Sequence, residues 1–450
     1  MRNDFRLRDY QIDHAAYHIQ HQASLNRSAC ATGKTATMAF LTEYYWETEK
    51  AKTVLINPIS LSVKNRDEFL RFTNFDESEI VIVRGTPKKR EKIYSDSRVK
   101  VFIVGADTFG NEWKKFPKDV KNCIVDESHL AYSTHSSKRT QEFYKAQVNF
   151  DHVLFCTATP LGSGRYDACY PLFAVCDPMR YGSHKRFLAY HAIYNSLGYL
   201  VSWRNGEDLG DGLRRFSCGI SFEEAYPNAS DNIISVETCG FEDDEQFRIY
   251  KELEESAMAE LEDRYIESAN PAVNAMRCRQ AIECPETIGY TPKVYGKDEL
   301  LKSHLQRILD NSEQSMLIFS CFIAEQERIV KICESMGISV ELINGSTSSA
   351  KRGEIAKRFM KNETKVLVAS PATMAVGFNF EQVDSIIFVS CTYNNSDFHQ
   401  CVFRGNRGSR KRALPVYILR YDCKIEKRIW DVVLARKEKE SEKVSRRLVN

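Results

Sequence analysis

The clearest motif in the chain is the run Ser28-Ala29-Cys30-Ala31-Thr32-Gly33-Lys34-Thr35. A phosphate-binding loop needs backbone N–H groups turned toward a polyphosphate, a lysine for the β- and γ-phosphates, and a hydroxyl for Mg²⁺. The last three residues of the run meet these needs, whereas Ser28 occupies the position of the first glycine. Apolar residues after the loop predict a following helix. The run by itself leaves open a chance Gly-Lys-Thr at a helix start.

Short apolar runs on either side of the chain's middle predict two parallel sheets. They are continuous rather than alternating, which is typical of strands covered by helices on both faces. The runs are 53–56, 80–83, 100–104, 123–125 and 152–156, and then 316–320, 340–343, 365–369, 385–389 and 416–419. The predicted fold class is α/β, with two lobes that bind ligands at the carboxyl ends of their strands.

The middle of the chain has a different pattern, which sets the predicted domain boundaries. Residues 242–267 are charged and helix-like, whereas Gly and Asn interrupt residues 195–240. We therefore expect a mostly helical insertion between the lobes and a charged helix at the end of the chain. The predicted domains are lobe 1 at 1–165, the insertion at 166–298, lobe 2 at 299–424 and the C-terminal helix at 425–450.

Composition limits the classes of function. The 450 residues carry a net charge of +2, so any nucleic-acid binding must use a local surface rather than an overall basic charge. No apolar run is long enough to cross a bilayer, and the N-terminus lacks the apolar core of a secretion signal. The 14 cysteines include no Cys-x-x-Cys pair, which favours free thiols in a reducing compartment. We expect a cytoplasmic protein without membrane contact.

An acidic pair follows the predicted strand at 123–125 directly. Asp126, at the strand's carboxyl end, is well placed to hold Mg²⁺ together with the hydroxyl of Thr35. Glu127 can orient or deprotonate an attacking water. An ordinary acidic turn is the alternative, and the presence of Gly-Lys-Thr in the same lobe argues against it.

Two further polar clusters are weaker signals. Hydroxyls in the run Thr-Ala-Thr-Pro at 157–160 can bridge the acidic pair to a neighbouring domain. Gln400 precedes Arg404 and Arg407, whose spacing of three places both arginines on one face of a helix. Arginines delivered to a γ-phosphate neutralise its charge during transfer. A basic surface helix is the alternative, because more basic residues follow at 410–412.

Taken in order, these motifs resemble helicase superfamily 2 over almost the whole chain. The matching segments are 7–11 for the glutamine motif, 28–35 for motif I, 57–61 for motif Ia, 126–129 for motif II and 157–160 for motif III. In the second lobe they are 342–346 for the histidine-glycine-serine motif, with Asn344 in place of histidine and Arg352 behind it, 370–379 for motif V and 400–407 for motif VI. The resemblance implies two RecA-like lobes, an ATP hydrolase, and ATP and Mg²⁺ as cofactors.

The resemblance also assigns roles to individual residues. It implies ATP contacts at Arg8, Gln11, Ser28, Ala31, Thr32, Gly33, Lys34, Thr35 and Gly377, and Mg²⁺ at Thr35 and Asp126. The implied catalytic residues are Lys34, Asp126, Glu127, Arg404 and Arg407. The implied coupling residues are His129, Thr157, Thr159 and Gln400.

Within the superfamily, the chain is most similar to the Swi/Snf group of double-stranded DNA translocases. The similarity lies in 58–62 with Glu68-Phe69, in the Gln-x-x-x-Arg-x-x-Arg spacing of 400–407, and in the closing segment 424–429. Motif I departs from the pattern in having no glycine at position 28 or 31. Motif III has Ala158, as in strand-separating or branch-migrating relatives, and the compact chain resembles a viral or bacterial motor.

The resemblance implies an ATP-dependent motor that translocates on double-stranded DNA. We expect a monomer in the cytoplasm of a bacterium or of a virus-infected cell. A strand-separating helicase on DNA or RNA is one alternative, and a non-hydrolysing nucleotide-binding scaffold is another. The expected contacts with nucleic-acid phosphates are Ser60, Lys64, Thr108, Gly345, Ser346 and Thr373.

Overall fold

A computed structural model describes residues 5–161, 165–260, 265–267, 270–374, 378–393, 395–406, 408 and 410–435. The chain forms two compact units. Unit 1 runs to Pro227 and unit 2 begins at Asn228. Each unit has its own parallel sheet with helices on both faces, which confirms the predicted α/β fold of two lobes.

A parallel sheet of seven strands forms the centre of unit 1 in the described part of the chain. The strands of the unit are β1 (Ala23–Asn26), β2 (Lys52–Ile56), β3 (Ile80–Ile82), β4 (Val101–Val104), β5 (Val120–Val125), β6 (His152–Cys156), β7 (Ala192–Tyr194), β8 (Leu200–Trp203) and β9 (Ser217–Cys218). The order across the sheet is β3-β4-β2-β5-β6-β1-β9, while β7 and β8 form a separate antiparallel hairpin.

Helices cover both faces of this sheet. They are α1 (Asp9–Ile19), α2 (Lys34–Glu49), α3 (Ser62–Phe72), α4 (Pro87–Ser95), α5 (Ala106–Glu112), α6 (Ser128–Ala131), α7 (Lys138–Ala146), α8 (Tyr170–Cys176), α9 (Pro178–Tyr181), α10 (His184–His191), α11 (Gly206–Arg215) and α12 (Phe222–Ala225). Because successive side chains of a strand point to opposite faces, β2 sends Val54 and Ile56 into one core cluster and Leu55 into the other. Burying each such side chain contributes roughly 1.5–3 kcal/mol.

Unit 2 has the same kind of architecture, with a parallel sheet of six described strands. Its strands are β10 (Asn232–Cys239), β11 (Met258–Glu260), β12 (Tyr265–Glu267), β13 (Met316–Phe319), β14 (Val340–Ile343), β15 (Val366–Ala369), β16 (Ser385–Phe388) and β17 (Leu414–Tyr421). The sheet order is β10-β17-β16-β13-β15-β14, while β11 and β12 form an antiparallel hairpin.

The helices of unit 2 enclose its sheet in the same way. They are α13 (Asp244–Ser256), α14 (Pro271–Glu283), α15 (Gly296–Asp310), α16 (Ile323–Ser335), α17 (Ser349–Met360), α18 (Pro371–Met374), α19 (Asn395–Gly405) and α20 (Lys424–Ala435). Helix α20 anchors itself in the core through Ile429, Trp430 and Val433, all of which are buried.

A buried ionic cluster joins three of these helices. Lys297 of α15 is 1% exposed and donates to both carboxylate oxygens of Glu283 in α14, each at 2.9 Å. It also donates to Glu426 of α20 and to the carbonyl oxygen of Val389, each at 2.7 Å. Removing one partner would leave a buried charge unpaired, at a cost of about 3–5 kcal/mol. The cluster therefore links α14, α15 and α20.

The boundary between the units falls inside the segment 166–298, which we predicted as one insertion. Its first part belongs to unit 1, where β9 lengthens the sheet beside β1, and its second part belongs to unit 2, where β10 pairs with β17. The helix predicted over 242–267 ends at Ser256, because Ala257 takes a left-handed conformation at φ +57° and the chain turns into β11.

No helix in the described part of the chain is long and apolar enough to cross a membrane. All fourteen cysteines lie in that part, and none is joined to another in a disulfide.

Candidate nucleotide site

Four neighbouring strands of unit 1 end at the same edge of the sheet and bring distant motifs together. Parallel pairing aligns Ile56 with Val125, and Asn26 with Cys156. The residues that follow these strand ends are therefore side by side. They are Asn57 of motif Ia, Asp126 of motif II, Thr157 of motif III and the loop at 27–33 of motif I. This edge is where ligands bind in open parallel sheets.

The loop between β1 and α2 depends on two left-handed residues. Gly33 precedes α2 at φ +82°, and a Cβ there would lie 2.6 Å from Nε2 of Gln11. Glycine is therefore the only residue that fits position 33 without a shift of Gln11. Ala31 is also left-handed, at φ +65°, a conformation that costs an L-residue about 1–2 kcal/mol.

Three consecutive carbonyl oxygens of the loop are held by side chains outside it. Tyr226 donates its hydroxyl to the oxygen of Ala31 at 3.0 Å, and Tyr10 donates to that of Thr32 at 2.7 Å. The amide of Gln11 donates to that of Gly33 at 3.2 Å. Each contact keeps a carbonyl oxygen engaged, and an engaged oxygen is less free to face and repel a phosphate.

Arg8 connects two of these holding residues. Its backbone N–H donates to Oε1 of Gln11 at 2.9 Å, and its guanidinium lies 4.5 Å above the ring of Tyr226. Sequence reasoning named Arg8 and Gln11 but missed Tyr10 and Tyr226. Tyr226 lies 195 residues beyond the loop, and only the pairing of β9 with β1 brings it close.

The substitution Ala31→Gly is expected to raise the affinity for ATP by about 3- to 10-fold, because glycine adopts the left-handed conformation at little cost. Isothermal titration of the full chain with ATP measures this gain. Ala29→Gly is the matched control, since Ala29 lies in the same loop without a positive φ. Equal affinities for the two variants would show that the strain at Ala31 does not affect binding.

Lys34 begins α2 and points back over the loop. Its ammonium donates to the carbonyl oxygens of Ser28 at 2.9 Å and Ala29 at 3.0 Å. Thr35 is the next residue of the helix. The ammonium of Lys34 also lies near enough to interact electrostatically with Asp126 and His129. The loop lysine and the acidic pair therefore belong to one site.

The first carboxylate of the acidic pair is buried and held on both oxygens. Asn65 donates to Oδ2 of Asp126 at 3.0 Å, and the backbone N–H of Glu127 donates to Oδ1 at 3.0 Å. Burial raises the pKa of Asp126, and the neighbouring Glu127 adds to the rise, while Asn65 and Lys34 oppose it. The carboxylate thus lies in an environment where a bound cation would stabilise its charged form.

The donor set fits ATP with Mg²⁺. In the described residues, no three His, Cys, Asp or Glu side chains cluster as a metal site, and Mg²⁺ bound to a nucleotide takes only one or two protein ligands beside phosphates and water. Thr35 and Asp126 would supply those ligands. Among the described residues, the buried Oε2 of Glu127 has no hydrogen-bond partner, so this oxygen can accept a hydrogen bond from a water.

A hydrogen-bonded chain joins motif II to motif III. Nδ1 of His129 lies 2.8 Å from Oγ1 of Thr157, which accepts the N–H of Thr159 at 3.0 Å. The same Nδ1 is 3.5 Å from Oε2 of Glu127. Burial lowers the pKa of His129 to about 4, with a further contribution from Lys34, so the ring is neutral at pH 7. Three of the four predicted coupling residues therefore form one chain.

The neutral state of His129 makes stability depend on pH. Because its pKa falls from 6.5 in the unfolded chain to about 4, the unfolded chain binds the extra proton between these values. The contribution of His129 to the free energy of unfolding is fully present above pH 6.5. It falls as the pH drops, by about 2 kcal/mol at pH 5. Urea unfolding at pH 7.5 and 5.0 measures this loss. His129→Gln should lose less stability between the two values than the wild type; an equal loss would contradict the assignment.

The candidate nucleic-acid contacts of unit 1 lie after strand ends on the same edge. Ser60 is exposed in the turn after β2, and Thr108 is in the first turn of α5 after β4. Lys64 lies 3.7 Å from Glu68 and helps to lower the pKa of Asp126. Lys64 is therefore close to the acidic pair as well as to the exposed turn.

In unit 2, an asparagine replaces the histidine of the expected histidine-glycine-serine motif. Oδ1 of Asn344 accepts the N–H of Ser346 at 3.1 Å and its hydroxyl at 2.7 Å. Arg352 donates to the carbonyl oxygens of Thr347 at 2.8 Å and Asn344 at 3.1 Å. The loop is thus held from both sides, with Gly345 and Ser346 exposed, while Thr373 lies in α18.

Motif VI is only partly described. Gln400 is buried in α19, and Arg404 in the same helix donates to the carbonyl oxygen of Phe378 at 3.1 Å. Arg407 and Gly377 lie outside the described residues. The helix α19 ends at Gly405, and the prediction that one helix face carries both arginines is untested because it includes Arg407.

Close packing explains where α19 ends. A Cβ at Gly405 would lie 2.8 Å from Val383 and 3.1 Å from Leu414, so the chain turns at a glycine pressed against the sheet. Beyond it, Arg410 is buried and donates to the carbonyl oxygens of Glu381 and Val383. Lys411 and Arg412, which follow it, are exposed, and residues 410–412 are not helical.

Two domain families match the chain. "Type III restriction enzyme, res subunit" matches residues 4–161, and "Helicase conserved C-terminal domain" matches residues 296–409. An uncharacterized ATP-dependent helicase of Mycoplasma pneumoniae is 21% identical over 412 residues, which cover 90% of this chain and 38% of that protein. ATP-dependent helicase fft2 of Schizosaccharomyces pombe is 27% identical over 164 residues, 34% of this chain and 13% of that protein. The chain thus spans well under half the length of these curated relatives.

The fold also has a counterpart among solved structures. The crystal structure of the Pyrococcus furiosus Hef helicase domain is similar with a TM-score of 0.55 and 16% identity, covering 94% of this chain and 97% of that domain. This likeness concerns the fold alone. The two family matches fall on the two units, the res-subunit match on unit 1 and the helicase C-terminal match on unit 2. Both matches agree with the resemblance to helicase superfamily 2 that the motifs indicate.

Proposed function

We propose that this chain is a DNA-stimulated ATPase that translocates on double-stranded DNA in the manner of the Swi/Snf group. The observation that carries the proposal is the connected site of unit 1. There, the loop lysine, the acidic pair and the motif III hydroxyls lie within one network. The Swi/Snf-like segments at 58–62 and 400–407 favour duplex DNA as the track.

The proposed division of labour follows from the contacts of each residue. ATP with Mg²⁺ supplies the phosphoanhydride whose hydrolysis drives movement. Lys34 neutralises phosphate charge, while Thr35 and Asp126 hold the cation. Glu127 orients and deprotonates the attacking water, since its buried Oε2 has no hydrogen-bond partner in the described part of the chain. His129 and Thr157 transmit the state of Glu127 to the motif III segment.

Unit 2 completes the proposed machinery. We assign Arg404 and Arg407 to the γ-phosphate, Gly377 to the nucleotide and Gln400 to coupling, following the motif VI and motif V resemblance. Arg404→Ala therefore belongs among the variants in the translocation assay below. We propose that the chain works as a monomer in the cytoplasm.

We propose that hydroxyls and backbone amides in the loops that follow the β-strands contact the DNA phosphates. The proposed residues in unit 1 are Ser60, Lys64 and Thr108, and those in unit 2 are Gly345, Ser346 and Thr373. Exposure of Ser60, Gly345 and Ser346 supports this assignment. Such groups bind phosphates without reading sequence, which suits a motor that moves along any duplex.

Displacement of a third strand from a triplex is the test of translocation. The full chain with ATP should release a triplex-forming strand from duplex DNA without unwinding a forked duplex. Arg404→Ala and Lys34→Ala should abolish the release. Efficient unwinding of the fork, with no triplex release, would overturn duplex translocation and favour the strand-separating helicase. Absence of hydrolysis with any nucleic acid would favour the nucleotide-binding scaffold.

A further inference from the structure

The hairpin of β7 and β8 exposes an unusual density of apolar and aromatic side chains. Leu197 is 77% exposed, Tyr199 is 68% exposed and Val201 is 64% exposed. Ile193, Tyr194 and Leu200 are also exposed. Large apolar side chains scattered singly are normal on a surface, but a contiguous group of this kind marks an interaction site.

The base of the hairpin is fixed rigidly to unit 1. Trp203 stacks on Tyr166 with ring centroids 5.3 Å apart, and the N–H of Arg204 donates to the carbonyl oxygen of His191 at 2.8 Å. The Arg204 guanidinium donates to the carbonyl oxygens of Tyr190 and Ala189 at 3.0 and 2.7 Å. An isolated two-stranded hairpin is only marginally stable in water, so these contacts hold it in place.

The tip of the hairpin is also ordered by hydrogen bonds. Oδ1 of Asn195 accepts the N–H groups of Leu197 at 3.1 Å and Tyr199 at 2.9 Å. The backbone N–H of Asn195 donates to the carbonyl oxygen of Tyr199 at 2.9 Å, and Gly198 takes a left-handed conformation at φ +81°. The aromatic rings of the hairpin are therefore presented on a stiff support.

The charge around the hairpin indicates the kind of partner. No Asp or Glu occurs from 178 to 206, whereas four Lys or Arg residues do. Lys185, Arg186 and Arg204 are exposed. Exposed aromatic rings within a basic segment suit unpaired nucleic acid, because bases stack on the rings and phosphates are attracted to the cations. The exposed cations Lys185, Arg186 and Arg204 lie on either side of the hairpin, whose own residues 191–203 carry no charged side chain.

We propose that the β7–β8 hairpin is a site for unpaired bases at the junction between duplex and single strand, with Tyr194 and Tyr199 as the stacking residues. This inference rests on the proposed nucleic-acid function. It adds a contact with bases to a grip that otherwise uses phosphates. The motor would track along the duplex while the hairpin binds bases that are already unpaired at a junction.

Binding of a forked DNA with 2-aminopurine at the junction tests the site. The full chain should bind the fork more tightly than a blunt duplex of equal length, and it should change 2-aminopurine fluorescence. Tyr194→Ala/Tyr199→Ala should raise the Kd for the fork by about 10-fold or more, with a change under about 2-fold for the blunt duplex. Tyr194→Phe/Tyr199→Phe keeps the rings and should bind the fork like the wild type. Phe247→Ala, an exposed aromatic of unit 2, is the matched control.

Two results would overturn the inference. One is an unchanged fork Kd in the double alanine variant. The other is loss of self-association in that variant, seen by sedimentation, with fork binding intact, which would make the hairpin a protein surface. Fork binding is measured without ATP hydrolysis. A wild-type protein without ATPase activity would therefore refute the proposed function, while the fork-binding result would still test the hairpin separately. Both tyrosines are exposed, so thermal unfolding should be unchanged in all variants.

Discussion

Lys34→Ala is expected to lower the rate of ATP hydrolysis by at least about 100-fold, the usual cost of removing one group that stabilises transition-state charge. Lys34 is the first residue of α2, and its ammonium lies over the loop carbonyls of Ser28 and Ala29. Its removal also withdraws a positive charge from beside Asp126. We therefore expect weaker ATP binding as well as slower turnover. Steady-state hydrolysis with saturating DNA measures the change.

Lys50→Ala is the matched control for this experiment. Lys50 lies at the other end of α2, where its side chain is exposed beside Glu47. The control should hydrolyse ATP at the wild-type rate. A Lys34→Ala protein that retains more than about a tenth of the wild-type rate would show that the loop is not the catalytic phosphate site.

Glu127→Gln is expected to slow hydrolysis by about 100- to 10,000-fold while ATP still binds, because general-base catalysis contributes on this scale. The buried Oε2 of Glu127 has no hydrogen-bond partner in the residues that the structure describes, and it lies 3.5 Å from Nδ1 of His129. Glutamine keeps the size of the side chain but cannot accept a proton from water. Single-turnover hydrolysis and equilibrium ATP binding separate the two effects.

The same variant has a second consequence that a folding defect would not produce. Since Glu127 raises the pKa of Asp126, Glu127→Gln should make Asp126 easier to ionise and strengthen the binding of Mg²⁺·ATP. Glu47→Gln, an exposed change on α2, should leave hydrolysis and binding unaltered. Loss of ATP binding together with loss of hydrolysis would show that Glu127 maintains the structure of the site and does not act as its general base.

Much of the fold was predictable because its strands are buried on both faces. Continuous apolar runs such as 123–125 and 152–156 identified β5 and β6. Parallel strands end at one edge, so the residues after those runs had to meet there. The pairing of Val125 with Phe155 brings the acidic pair beside the motif III hydroxyls, as expected.

Strands without such runs were missed. β1, with the sequence Ala-Ser-Leu-Asn, contains no β-branched or aromatic residue, although it is buried. β9 has only two residues, and it lies in the sheet because it pairs with β1. β10 is at the sheet's edge and alternates between exposed and half-buried positions. Local pattern does not identify strands that depend on their neighbours.

The site residues also divide into those that a local sequence signal identifies and those that depend on distant partners. The loop glycine and lysine follow from motif spacing, but the left-handed conformation of Ala31 does not. Asn65, which holds Asp126, and Tyr226, which holds Ala31, lie 61 and 195 residues from their partners. Such long-range contacts leave no local signal. The end of α19 at Gly405 depends on packing against Val383 and Leu414, and the sequence of the helix alone did not show it.

The central claim is that this chain is a motor whose ATPase depends on nucleic acid. The most direct test is the rate of ATP hydrolysis by the full chain with and without double-stranded DNA. We expect stimulation by DNA of about 10-fold or more, and no stimulated rate in Lys34→Ala. Hydrolysis that stays at the Lys34→Ala background with duplex DNA, single-stranded DNA and RNA would contradict it.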